Sequence, residues 1–313
     1  MIIVLLIAVA LVAFCFGVGG YAFFTACKRA PKIHWDSRES VENSEFSEHF
    51  DKAAKGNRWL RDHNAQDLYM TSKDGLKLHA YWIPAHNARA TVVFLHGYHG
   101  SGVMDFSIAF DLYHDQGFNI LMPDQRAHNE SEGRFITFGV RESADFLQWI
   151  LLHNQRFGEF PILCSGLSMG AATLMFMAGM DLPENVRGLI ADCGFTSPKE
   201  ILAHVLKKTT HLPAWPFMWA TEIFARLVGG FSLSEKHTTK TLAHNQRPIL
   251  FVHGLDDTLV PPEMTKRSFE ACAGEKHLLL VEGAEHALSF LVARDAYVEK
   301  RNEIAEKVLG GRL

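Results

Sequence analysis

Six short apolar runs separated by longer helical patterns constrain this chain more than any other feature. The runs lie at residues 90–95, 119–122, 162–165, 189–191, 249–252 and 278–281 and are almost continuously apolar. Strands wetted on one face alternate apolar with polar residues, and strands covered on both faces do not, so these read as parallel strands buried between helices. Helical patterns such as 140–153 and 284–308 are too long to be strands. The alternation predicts a mostly parallel central sheet flanked by helices, with chemistry carried on loops at the carboxyl ends of the strands. Ahead of it, runs at 67–72 and 76–83 flank the turn signal Asp74-Gly75 and predict a hairpin.

The 313 residues can close a large core without disulfides or metal. A net charge of -4 gives no general attraction to nucleic acid, and no nucleic-acid partner is expected. The five cysteines include no C-x-x-C spacing, so neither a disulfide framework nor a zinc site is indicated. Residues 1–27 depart from this soluble composition: they contain no charged side chain and exceed the roughly 20 residues a helix needs to cross a bilayer. No positive residue precedes the run and no small-x-small site follows it, which favours a retained transmembrane anchor over a cleaved leader. Lys28, Arg29 and Lys32 follow directly, and the positive-inside rule then puts the bulk of the chain in the cytoplasm. Residues 28–64, with Glu39, Glu42, Glu45 and Glu48 three apart and Phe46 and Phe50 four apart, read as a charged linker or an amphipathic helix. Residues 65–313 form the main domain. Within it, two successive helical segments about Leu212-Pro213-Ala214-Trp215-Pro216 suggest a helical cap at about 196–242, with Trp215, Phe217, Met218, Trp219, Phe224 and Leu227 giving it an apolar underside.

After the run at 162–165 comes Gly166-Leu167-Ser168-Met169-Gly170 and then a helical pattern. A serine at a sharp strand-to-helix corner needs small residues two positions to either side, which makes G-x-S-x-G in this setting a nucleophile elbow. A serine hydroxyl also needs a base, and the base needs an orienting partner. His253-Gly254-Leu255-Asp256-Asp257 follows one buried run, and Glu282-Gly283-Ala284-Glu285-His286 follows the next, giving the chain order serine, acid, histidine.

Together with Phe94-Leu95-His96-Gly97 and Pro123-Asp124-Gln125-Arg126-Ala127-His128, these motifs resemble the α/β-hydrolase superfamily over about 67–308, in particular its serine aminopeptidase-like or Bem46-like esterase members. The resemblance implies Ser168 as nucleophile, His286 as general base and then acid, Asp257 as orienting carboxylate, and the backbone N–H groups of Tyr98 and Met169 as oxyanion donors. It departs from the family pattern at Asn129, where glycine is frequent. The implied activity is cleavage of a carboxylic ester or thioester through an acyl-enzyme, with no cofactor and no metal, on a small acyl ester or lipid-like substrate. A peptidase would use the same groups but would want carboxylates in the cap, where Glu222 stands alone in the middle. Acyl transfer, or a catalytically silent scaffold tethered to the membrane, is also compatible with the sequence.

Neighbouring residues have plainer readings. Asp256 adjoins Asp257 but is out of register with the motif. Asp192 is read as hydrogen-bonding the Thr196 or Ser197 turn. Asp124, Arg126, His128, His96 and His253 read as loop braces, and Ser165, Cys164 and Cys193 as core. The run Gly97–Gly102 lacks the lysine of a phosphate loop, and His96 and His99 lack further metal ligands.

Overall fold

A computed structural model describes residues 1–32 and 50–312. Strands β1 (Gln66–Thr71), β2 (Lys77–Ile83), β3 (Ala90–Leu95), β4 (Phe118–Pro123), β5 (Ile162–Leu167), β6 (Val186–Asp192), β7 (Ile249–Gly254) and β8 (Lys276–Val281) form one sheet of eight in the order β1-β2-β4-β3-β5-β6-β7-β8. β1 and β2 form the expected hairpin and β2 meets β4 antiparallel; all other neighbours are parallel. Gly75 closes the hairpin at φ +88°, a backbone conformation costly for any residue with a Cβ.

The helices are α1 (Ile2–Cys27), α2 (Phe50–Asp62), α3 (Gly102–Phe106), α4 (Phe110–His114), α5 (Glu142–Phe157), α6 (Met169–Met177), α7 (Pro198–Thr210), α8 (Ala214–Leu227), α9 (Thr238–Thr241), α10 (Pro262–Ala271), α11 (Ser289–Val292) and α12 (Arg294–Leu309). Side chains alternate across each central strand, so one strand serves two cores. Val92 and Phe94 pack toward α4 and α12, whereas Val93 and Leu95 pack toward α5 and α6. The helix expected over 284–308 is broken: residues 284–288 form a loop, with Ala287 at φ 62°, before α11 and α12. That break gives His286 its position outside any helix. The glutamates Glu39, Glu42, Glu45 and Glu48 and residue Phe46 lie outside the described residues; α2 begins at Phe50.

α1 is long and apolar enough to span a membrane. Its two halves differ. Residues 2–14 are exposed all round, whereas Gly19, Gly20, Phe23 and Cys27 are buried against the domain. A Cβ on Gly19 would come within 2.5 Å of the Ala220 Cβ, so the two helix backbones meet there without side chains between them. Phe14 meets Phe217 edge-on at 5.8 Å and Phe16 meets Trp219 at 5.6 Å, while the ring of Phe23 stacks on Phe224 at 6.4 Å. The chain leaving α1 stays fixed. Arg29 N–H donates to Arg134 O, Ile136 N–H donates to Cys27 O, and the Arg29 guanidinium donates to the carbonyls of Asn129 and Ser131 at 2.6 Å each. α1 is therefore part of the fold.

The cap segment contains the two helices the sequence suggests, α7 and α8, but their apolar residues do not form a roof over Ser168. Phe217 and Met218 are buried with α1, and Trp215, Trp219 and Leu227 are exposed, the first at 79%.

Candidate active site

Ser168 stands between β5 and α6 at φ 53°, ψ -113°, a strained corner. Its own N–H donates to Asp192 O, which fixes the corner against β6. The two glycines of the motif are needed for contact: a Cβ on Gly166 would lie 2.5 Å from Gly170 O, and one on Gly170 would lie 2.0 Å from Leu95 O. The corner thus fits between β3 and β5 only with those side chains absent.

The structure brings Ser168, His286 and Asp257 together from the carboxyl ends of three strands, β5, β7 and β8. The Ser168 hydroxyl lies 2.9 Å from His286 Nε2, and His286 Nδ1 lies 2.6 Å from Asp257 Oδ2. The other oxygen of Asp257 accepts the N–H groups of Leu259 and Val260 at 2.9 Å each. His253 contacts Asp257 as well: its Nε2 is 3.1 Å from Oδ2 and 2.9 Å from Val260 O. A carbonyl can only accept, so Nε2 carries the hydrogen and His253 presents a fixed donor to the carboxylate. Burial alone would raise the pKa of Asp257, but the bonds from His253 and His286 and from the Val260 N–H hold it well below the ordinary carboxylate range.

Met169 opens α6, where backbone N–H groups have no helical acceptor. Tyr98 belongs to the loop after β3, and a Cβ on its neighbour Gly97 would lie 3.5 Å from the Ser168 Cβ. Both expected oxyanion donors are thus on segments that border the serine. Asp105 accepts the Gly97 N–H at 2.7 Å and secures that loop, a contact the sequence does not reveal because it joins a loop to α3. The Tyr98 hydroxyl donates to Ala26 O at 2.9 Å, linking the same loop to α1.

Around this centre, His96 accepts the Gln125 N–H on Nε2, and its Nδ1 lies 2.8 Å from Gly97 O. The Arg126 guanidinium joins Asp145 to Asp74, holding α5 to the hairpin turn. Asn129 adopts φ 41°, which asparagine tolerates better than most residues, and donates to Asp124. Asp192 does not bond Thr196 or Ser197, which instead engage Glu200. Its Oδ1 has no hydrogen-bond partner, and burial raises its pKa to about 6 against the opposing pull of His253 and His286. Cys193, Asp257 and His286 place potential ligand atoms within 4.8 Å of one another, but burial pushes the Cys193 thiol well up, and a neutral thiol is a poor ligand. Glu222 is spent on Arg226, Ser232 and the Leu233 N–H.

A cavity of about 420 Å³ opens beside Ser168 and His286, walled by Phe94, Phe106, Leu112 and Phe290. Its walls come mainly from β3, α3, α4, the 286–291 segment and α12, and none of its lining residues belongs to α8.

Residues 90–223 match the family described as alpha/beta hydrolase fold. The chain is 30% identical over 235 residues to the uncharacterized protein YqkD of Bacillus subtilis, covering 75% of this chain and 77% of that one. It belongs to the α/β-hydrolase fold family. It is also 27% identical over 198 residues to the lysophosphatidylserine lipase ABHD12 of Danio rerio, covering 61% of this chain and 50% of that protein. The structure of the Pyrococcus furiosus esterase Pf2001 superposes with a TM-score of 0.64 at 23% identity, covering 79% of this chain and 93% of the esterase.

Proposed function

We propose that this protein is a membrane-anchored serine hydrolase that cleaves a carboxylic ester or thioester through an acyl-enzyme. The observation that carries the reading is the unbroken relay from Ser168 through His286 to Asp257, with contacts of 2.9 and 2.6 Å. Ser168 attacks the carbonyl carbon as His286 Nε2 takes its proton, and the N–H groups of Tyr98 and Met169 hold the oxyanion. The tetrahedral adduct collapses as His286 protonates the leaving oxygen or sulfur. Water, deprotonated by His286, then releases the acid and restores Ser168. Asp257 keeps the Nδ1 hydrogen of His286 in place and balances the imidazolium. The engagement of Glu222 within the cap disfavours an aminopeptidase, since that carboxylate is not left for a free amino terminus.

The anchor supports a lipid-like substrate. The fully exposed residues 2–14 would measure about 20 Å as a helix, short of the ~30 Å of a hydrocarbon core. A spanning α1 must therefore submerge part of its second half, and with it the start of α8, whose Trp215 and Trp219 are side chains suited to the membrane interface. The active-site face then sits close to the bilayer. Hydrolysis of p-nitrophenyl esters of increasing acyl length by the full chain in neutral detergent tests this. A maximum at medium or long chains, absent in Ser168→Ala, is expected. A maximum at acetate would discard the lipid-like substrate, and no turnover at any length would discard the esterase.

A further inference from the structure

Arg301 of α12 lines the same cavity as Ser168, and the side chain is fully buried. Its guanidinium stacks over the Tyr113 ring at 3.7 Å, and Nη1 donates to Gln116 and to Asn302, both neutral. Nε and Nη2 have no hydrogen-bond partner, and among the described residues no carboxylate pairs with the group. Two nitrogens of a permanent cation are thus left buried without a partner at the wall of the cavity. The rings of Tyr113 and Phe118 offset part of the cost of burying the cation, but a guanidinium with no carboxylate and two unpartnered nitrogens is left incompletely paired. Of the two carboxylates that line the cavity, Asp105 accepts the Gly97 N–H.

We propose that Arg301 is an anion subsite of the catalytic cavity, so that the preferred ester carries a carboxylate or phosphate separated by an apolar stretch from the bond cut at Ser168. This rests on the hydrolase reading above and adds the substrate class to it. Apolar walls between the two polar ends select an amphiphile of limited length. The planar fork of a guanidinium matches two oxygens of either anion, which a neutral or singly hydrogen-bonding group would not use.

The test pairs matched esters on the full chain. One arm compares p-nitrophenyl monoesters of α,ω-dicarboxylic acids with the same compounds methylated at the distal carboxyl. The second compares acyl esters of 3-hydroxypropyl phosphate with acyl esters of propanediol. A charged hydrogen bond gained in the cavity should lower KM for the anionic member of at least one arm by about 10-fold to 100-fold, and the responding arm tells whether the anion lies on the acyl or the alcohol side. Arg301→Gln should bring that ratio to about one, while Arg301→Lys, which keeps the charge and loses the fork, should keep the direction of preference at reduced size. The lysine variant decides the matter if the glutamine variant does not fold. Equal KM within both arms, or a preference that survives in Arg301→Gln, would overturn the subsite and leave the hydrolase standing. A wild type that turns over neither member of either pair would remove both.

Discussion

At the scale of single residues, two buried carboxylates near His286 are separated by their partners and not by their types. Asp257 has donors on both oxygens and stays ionised; Asp192 is held in the core with one oxygen unpartnered, and its pKa rises to about 6. Asp257→Asn should therefore lower kcat by about three to four orders of magnitude with little change in fold, because the imidazole loses the acceptor that sets its tautomer. The opposite ranking, with Asp192→Asn the more damaging, would move the acid to Asp192. Asp192 also makes a prediction about stability. The folded chain keeps this proton up to about pH 6, whereas an unfolded aspartate loses it near pH 4, so the folded state loses stability as pH rises through that window, by up to ~3 kcal/mol. Asn at 192 keeps the size of the side chain and removes the ionisation. Moving from about pH 4.5 to about pH 7 should then lower the melting temperature of the wild type by several degrees more than that of Asp192→Asn; parallel shifts would refute the assignment.

At the scale of elements, the sequence made the strands and the elbow legible because both have short-range causes. Apolar runs mark strands buried on two faces, and the spacing of Gly166, Ser168 and Gly170 follows from contacts with Leu95 and with Gly170's own carbonyl. The order of Ser168, Asp257 and His286 could also be read, since each follows its own strand. The destination of α8 could not. Its aromatic residues fit a roof over the site as well as a seat for another helix, and only the pairing of Gly19 with Ala220 across about 200 positions of chain decides between them. His253 does brace its loop through Val260 O, but its contact with Asp257 and the burial of Arg301 were likewise hidden. The α1–α8 contact is testable. Gly19→Leu puts a side chain where a Cβ already lies 2.8 Å from the Thr221 backbone nitrogen, so the helices must part, and limited proteolysis should cut the segment 211–216 faster than in the wild type. Unchanged cleavage would mean that the two helices do not pack closely in the protein.

At the scale of the whole molecule, α1 packs on α8 and on the segments after β3 and β4. Phe23 is fully buried, Arg29 is held by backbone carbonyls, and the Tyr98 hydroxyl reaches Ala26. Removing residues 1–27 would strip the cover from Phe217, Met218 and Phe224, a buried aromatic alone being worth about 1.5–3 kcal/mol. The truncated chain should therefore melt several degrees lower and self-associate; a monomer of unchanged melting temperature would contradict a built-in anchor. The same connection ties the Tyr98 loop, which borders Ser168, to α1.

The central claim is that Ser168 is an activated nucleophile, and reaction of the full chain with a fluorophosphonate, followed by mass spectrometry, tests it most directly. One adduct is expected, on the peptide containing Ser168, formed slowly or not at all in His286→Ala and absent in Ser168→Ala. Labelling that persists in Ser168→Ala, or a wild type that does not react, would contradict it.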